Sequence, residues 1–359
     1  MLRELHYFYL RPCCFYWTAK NKLPAYSLYF LSFMRRLFTF ATLLFLLIPA
    51  IASVTGNNRQ YVSSKSLSVL EDSTDSGYSK RKKTSIHSAL IRSKSTEQPL
   101  GVGDYIITQF GNQGAGEGQF QCPRAIAVDS KGSVYVADER NHRIQKFTNK
   151  GEFVLSFGSS GKGNGQFNKP QGIAIDANDN LYITDAENYR VQKFSSEGIF
   201  LYSFGNFGQQ PGEFNSISAI AVDPQGSLLL KNAHRLEKYD TLGHFLTYIG
   251  KYGNGEGEIE STSGVATDAQ GVIYICDHGW LNLLASNGTF LRRIGSIGVA
   301  AGQFIGPTGI CLTKEGNIVV VDPFLHRIQI FDSAGKLLEL LGTRGSGIGQ
   351  FLSPTDVAI

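Results

Sequence analysis

Between residues 101 and 359, the side chains suited to metal, nucleophilic or acid–base chemistry are few. They are His142, His234, His244, His278 and His326, the cysteines Cys122, Cys276 and Cys311, and an evenly spaced series Asp129, Asp176, Asp223 and Asp268. Zinc needs about four ligands, usually Cys or His, converging on one point. No C-x-x-C pair occurs, and the histidines fall on outer strands or turns of the units described below. The cysteine count in this region is odd, so a disulfide framework is not expected, and the thiols read as small apolar fillers of strands. Calcium would need only carboxylate and carbonyl oxygens in a channel. The four aspartates each end a short apolar run, however, where an acid caps a turn. Gly-x-Ser-x-Gly, His-Glu-x-x-His and P-loop patterns are all absent. These observations predict no catalytic residue, no metal and no cofactor.

A second set of charges recurs as pairs five residues apart: Asp138 with Arg143, Asp185 with Arg190 and Asp322 with Arg327. Such a pair can lock the turn between two strands by a charge-assisted hydrogen bond. Threefold repetition marks it as structural. At two further turns the pattern breaks. Lys231 precedes Arg235, so the acid is lost, and Asp277 precedes Leu281, so the base is lost. Those loops, with Lys231, Arg235, Asp277, His278 and Trp280, are therefore candidate partner contacts. His142, Tyr189 and His326 share one slot before the arginine, which reads as a packing or rim position. Asn287-Gly288-Thr289 is a glycosylation sequon in a turn.

The elements that hold these residues are repeats. An apolar residue followed by glycine recurs at Phe110, Phe157, Phe204, Ile249, Ile294 and Leu341, at intervals of 45 or 47 residues. Each anchor opens a glycine-rich loop closing on a Gly-Gln/Glu-apolar triplet, the first Gly118-Gln119-Phe120 and the last Gly349-Gln350-Phe351. Unit two shows four β-rich runs: residues 172–176, 180–185, 190–194 and 198–204. The turn between the last two runs has glycine at one place throughout (Gly151, Gly198, Gly243, Gly288, Gly335), as a positive φ demands. Four antiparallel strands per unit of this length make a propeller blade.

The motifs Pro-x-Gly-Ile-Ala-Ile-Asp, Val/Leu-Tyr-Val/Ile-Ala/Thr-Asp and Asn-His/Tyr-Arg-Ile/Val-Gln-Lys-Phe resemble the NHL repeat, best in residues 124–147 and 170–194 and closely in 307–331. The resemblance implies an all-β, six-bladed NHL-type β-propeller over residues 104–359, whose members mostly bind proteins or RNA. Five units start near Arg124, Gln171, Ser218, Ser263 and Thr308. A sixth begins at Pro354 with its innermost strand, and Asp104–Phe110 matches its outermost strand. Two middle strands are unaccounted for, so the expectation is a C-terminally truncated last blade. A secreted lyase family of similar propeller fold holds zinc by three histidines, some directly after the proline that opens the inner strand. Arg124, Gln171, Thr308 and Thr355 stand there in this chain. A metal-dependent lyase- or lactonase-like enzyme is thus the alternative to a binding scaffold.

The chain divides in composition. Residues 1–100 contain 14 Lys+Arg and 5 Asp+Glu, and residues 101–359 contain 20 and 25, with 38 of the 40 glycines. Met34-Arg35-Arg36, the apolar run from Leu37 and Ala50-Ile51-Ala52 form a signal-peptide pattern, or a signal-anchor at the lower length limit. Translation from Met34 is expected. Residues 53–103, with Lys80–Lys83, read as a basic Ser/Lys-rich disordered linker. The acidic propeller lacks the excess positive charge that sequence-independent nucleic-acid binding requires, which leaves an RNA-binding NHL domain as a further alternative. The expected protein is a secreted or membrane-tethered monomer that binds a protein, peptide or glycan on a propeller face.

Overall fold

The computed structural model describes residues 110–347 and 349–359. The expected signal segment, the linker and the strand residues 104–109 lie outside them. Five four-stranded antiparallel sheets follow one another, each in sequential strand order. Blade one comprises Pro123–Val128, Val134–Asp138, Arg143–Phe147 and Phe153–Phe157; blade two Pro170–Ile175, Leu181–Asp185, Arg190–Phe194 and Phe200–Phe204. Blade three comprises Ile217–Val222, Leu228–Asn232, Arg235–Tyr239 and Phe245–Ile249; blade four Thr262–Thr267, Ile273–Asp277, Trp280–Leu284 and Phe290–Ile294. Blade five comprises Ile310–Leu312, Ile318–Asp322, Arg327–Phe331 and Leu337–Leu341. The protein is an all-β propeller. Among the described residues, five blades are four-stranded, and residues 354–359, expected to open an incomplete sixth, form no strand.

Burial explains the strand sequences. In every blade except the third, the second strand is buried along its whole length, because both sheet faces are covered, by neighbouring blades or, on the outer sides of blades one and five, by Phe110 with Phe120 and by Phe351 with Val357. Its β-branched and aromatic residues suit that setting. The outermost strand alternates half-buried with exposed, as in Phe153–Phe157. The cores lie between blades. Tyr135, Ala137 and Ile144 of blade one pack with Ile173, Leu181, Ile183 and Phe194 of blade two. The apolar residue of each loop triplet plugs such a core, with Phe167 in the first and Phe304 between blades four and five. Gly198 has φ +77°, and a Cβ there would stand 2.6 Å from the Phe157 ring, so this turn requires glycine twice over.

Residues 354–359 lie between the inner strands of blades five and one. Thr308 Oγ1 donates to the Thr355 carbonyl at 2.8 Å, and the Ile126 N–H donates to the Asp356 carboxylate at 3.0 Å. Phe110 packs 4.8 Å from Phe147 and against Gly151, the seat that Phe157 takes against Gly198. Asp356 stands where the five blades carry Ala125, Gly172, Ala219, Gly264 and Gly309. Burial pushes its carboxyl up to about 6, against the lowering effect of the Ile126 and Val357 N–H groups and the Arg124 charge.

An unfolded aspartate titrates near 3.9. Between that pH and about 6 the unfolded chain ionises at this residue while the folded chain stays protonated. Stability therefore falls as pH rises through the window. Asp356→Asn should match the native protein in urea unfolding at pH 4 and exceed it by about 2 to 3 kcal/mol at pH 7.5.

Candidate interaction face

The turns between second and third strands and the glycine-rich inter-blade loops share one face. Blade two shows how they are joined. Asp185 closes the second strand and pairs directly across from Arg190. Its buried carboxylate accepts from the Asn168 N–H at 2.6 Å, Asn188 Nδ2 at 2.8 Å, Arg190 Nε at 2.9 Å and Gln192 Nε2 at 3.1 Å. Burial raises the pKa of this acid against the pull of those donors. Arg190 Nη2 also donates to the carbonyls of Gly163 at 2.7 Å and Gln166 at 2.8 Å. Gln192 accepts from the Gly165 N–H at 3.0 Å and donates to the Gln166 carbonyl at 2.6 Å. Asp, Asn, Arg and Gln thus clamp a loop made mostly of backbone. Blade one repeats the clamp with Asp138, Asn141, Arg143 and Gln145, its ion pair at 3.0 Å. A carboxylate saturated by four donors is not free to act as a general base.

The other blades alter this scheme, and three expectations are corrected. In blade five no Asp322–Arg327 ion pair forms. Leu325 stands where Asn141 and Asn188 would be, and Asp322 accepts instead from the Ile305 N–H at 2.9 Å and the Leu325 N–H at 3.4 Å. Arg327 turns to the carbonyls of Val299, Ala300 and Gln303, leaving its buried Nε without a partner. In blade three the turn is two residues shorter. Asn232, and not Lys231, lies opposite Arg235. The acid is moved, not lost: Glu237 occupies the place of Gln192, accepting from Asn232 Nδ2 at 3.2 Å and from the Tyr239 hydroxyl. Burial raises the Glu237 pKa. Arg235 is left exposed and stacks 5.1 Å from the Tyr248 ring.

In blade four Trp280 pairs across from Asp277 in the arginine slot. The base is supplied from the outermost strand. Arg293 Nε donates to Asn282 Oδ1 at 2.7 Å, and Nη2 reaches the Asn254 carbonyl at 3.0 Å and that of Gly255. Its guanidinium lies 4.4 Å from the Trp280 ring. Asp277 accepts from the Ser261 and Glu260 N–H groups, and burial raises its pKa. His278 is left-handed at φ 51°, with Nε2 3.6 Å from Glu260. Sequence reasoning did not assign Gln145, Gln192, Gln329 or Arg293. The glutamines had a signal, two residues after the arginine in each motif.

The shared slot has a definite conformation. His142, Tyr189 and His326 are all left-handed. The two imidazoles accept through Nδ1 from the next loop, at Lys169 N (3.2 Å) and Ser353 N (3.0 Å), whereas Tyr189 lies edge-on to Phe207 at 4.8 Å. On the opposite face Asp129, Asp176, Asp223 and Asp268 each accept two N–H groups of their own turn through Oδ1. Lys193 and Lys238 pair with Asp176 and Asp223 at 3.1 and 2.7 Å. Among the described residues no group of three or more His, Cys, Asp or Glu is placed to hold a metal. Cys276 and Cys311 sit in strands with thiols pushed up by burial. Cys122, expected in a strand, instead occupies a left-handed loop position at φ 53°. Asn287 is exposed, its Oδ1 accepting from the Thr289 N–H at 3.0 Å.

The clamp can be tested directly. Gln192→Leu keeps most of the volume but strands the Gly165 N–H, takes one of two donors from the Gln166 carbonyl and takes one donor from Asp185. It should cost about 2 to 4 kcal/mol in urea unfolding. Arg235→Ala, at the corresponding strand end but gripping no loop, should change stability by less than about 0.5 kcal/mol.

A family model described as NHL repeat matches residues 120–147 and 167–194, which span the loop plug and first three strands of blades one and two. The B-box type zinc finger protein ncl-1 of Caenorhabditis elegans is 49% identical over 45 residues, covering 12% of this chain and 5% of that protein. The E3 ubiquitin-protein ligase TRIM71 of Rattus norvegicus is 40% identical over 60 residues, 17% of this chain and 7% of that protein. The matches therefore span a small fraction of these relatives. A Bacteroides thetaiotaomicron protein of unknown function shares the fold at TM-score 0.54 and 15% identity, covering 68% of this chain and 66% of that one. With matched repeats seated on two of five like-built blades, the chain is a β-propeller that carries NHL repeats.

Proposed function

We propose that this chain is a non-catalytic, monomeric binding scaffold, secreted or membrane-tethered, that presents a propeller face to a protein, peptide or glycan. We further propose that its ring counts six blades, with residues 354–359 as the innermost strand of the sixth. The observation behind the first reading is the use made of the charged groups. The buried acids on this face, and the guanidiniums of blades one, two, four and five, are spent on holding loops or turns. What remains for a partner is the varied side chains the loops display. The signal-peptide pattern and the exposed sequon at Asn287 support an extracellular setting.

Expression of the full chain in secreting animal cells tests this. The protein should enter the medium with a glycosidase-sensitive mass increment that Asn287→Gln removes. Its thermal melt should be unchanged by chelator, and metal analysis should find no stoichiometric zinc or calcium. Retention in the cytosol would overturn the extracellular reading. A stoichiometric metal whose removal lowers the melting temperature would overturn the non-catalytic one.

A further inference from the structure

The repeat supplies its own control for surface residues, because equivalent positions share a backbone role and differ only in side chain. In blade five and the loop entering it, Ile297, Val299, Ile305 and Phe324 are 59, 69, 41 and 59% exposed. At the same places blade one carries Gln113, Ala115, Gln121 and Arg140, and blade two Ser160, Lys162, Asn168 and Glu187. At two of these places, those of Ile305 and Ile297, the backbone duty is the same. The N–H groups of Gln121, Asn168 and Ile305 all donate to the aspartate ending the second strand. Ile297 bridges Phe304 as Ser160 bridges Phe167. Blades three and four carry the exposed Phe207 and Tyr252 at the place of Ile297, so an apolar residue recurs there, whereas Val299, Ile305 and Phe324 stand where the compared blades are polar or small and are not needed for the fold.

The patch is built into its surroundings. Phe324 lies against Gly306, where a Cβ would stand 2.7 Å from its ring, and Ile297 covers Gly279 of blade four in the same way. Gly306 has no positive φ to require glycine, so its missing side chain makes room for the ring. Residues 295–307 carry no charge. Beyond them, on the next loop, stands the exposed Arg344, which makes no ion pair among the described residues. Monomeric domains seldom leave contiguous apolar surface beyond a few hundred Å² without a binding role.

We infer that the blade-five sector of this face docks a segment of a partner protein whose aliphatic or aromatic anchor covers Phe324, Ile297 and Val299 while a neighbouring Asp or Glu pairs with Arg344. This rests on the reading of the propeller as a binding scaffold and deepens it. The uncharged loop excludes a highly charged ligand from the centre of the patch; Arg344 selects an acid on its own flank, while His278 and Glu260 stand at the opposite edge beside Gly279.

Fluorescein-labelled 12-residue peptides with a Phe-x-x-Leu anchor, flanked by Glu, Ser or Lys, would be titrated against the full chain by anisotropy. The Glu-flanked peptide should bind most tightly. Ile297→Ser and Phe324→Glu, which install the blade-two residues, should each weaken it about tenfold or more at unchanged melting temperature. Arg344→Glu should reverse the preference between Glu and Lys flanks. Equal binding of all three peptides, full affinity in the Ile297 and Phe324 variants, or no binding at all would overturn the proposal. So would binding of a single-stranded oligonucleotide that Phe324→Glu abolishes. Peptide binding that survives those variants would sink the blade-five site while leaving the scaffold reading intact.

Discussion

The face of this propeller depends on one requirement: a carboxylate buried at the end of a second strand must be surrounded by donors, and those donors must come from the adjoining turn and loop. Leaving such a charge uncompensated costs several kcal/mol. The glycine-rich loops bring mostly backbone to the surface, and their carbonyls need partners as well. One constellation answers both needs. In blades one and two the arginine bonds the acid through Nε and the loop through Nη2. The glutamine two residues later bridges the acid and the loop again.

How the other blades meet this requirement shows that the chemistry is kept and the residue positions are not. A guanidinium reaches loop carbonyls in blades one, two, four and five, but in blade four it is Arg293, from a different strand. Blade three exchanges the Asp/Gln pair for Asn232/Glu237, keeping one acid and one amide in contact and dispensing with the guanidinium grip. Once the clamp has released Arg235 to stack on Tyr248, and once blade five has an uncharged loop, neighbouring sectors of one scaffold offer different surfaces. Variation on a satisfied framework is how a repeat protein gains a specific face without losing its fold.

The architecture was legible because blades repeat at fixed intervals, and because positive-φ turns and buried plugs admit few residue types. Gly198 and Phe167 are read from spacing alone. The candidate site was legible only where turn length was constant. The two-residue shortening at blade three shifted the equivalence from Lys231 to Asn232, which a fixed five-residue spacing misses. At blade five the spacing is kept, yet replacing the turn asparagine by Leu325 changed which donors the acid accepts, and the ion pair was lost. Arg293 lies sixteen residues beyond Asp277, and only the pairing of the third and fourth strands brings it back to the turn. The apolar sector at blade five became visible only when exposure was compared between equivalent positions.

The seam between blades five and one follows different physics from the other junctions. Elsewhere two complete sheets face each other, and the plugs Phe167, Phe214 and Phe304 are wholly excluded from water. At the seam blade five meets Phe351 and Val357, and Phe351 retains 9% exposure. On the other side Phe110 and Phe120 cover blade one. The described residues join across it through Thr308, Thr355 and Asp356, and one of these contacts depends on a carboxylate that burial disfavours in its charged form. The buried Asp356 carboxyl is a cost that the alanines and glycines at the equivalent places of the five blades do not carry.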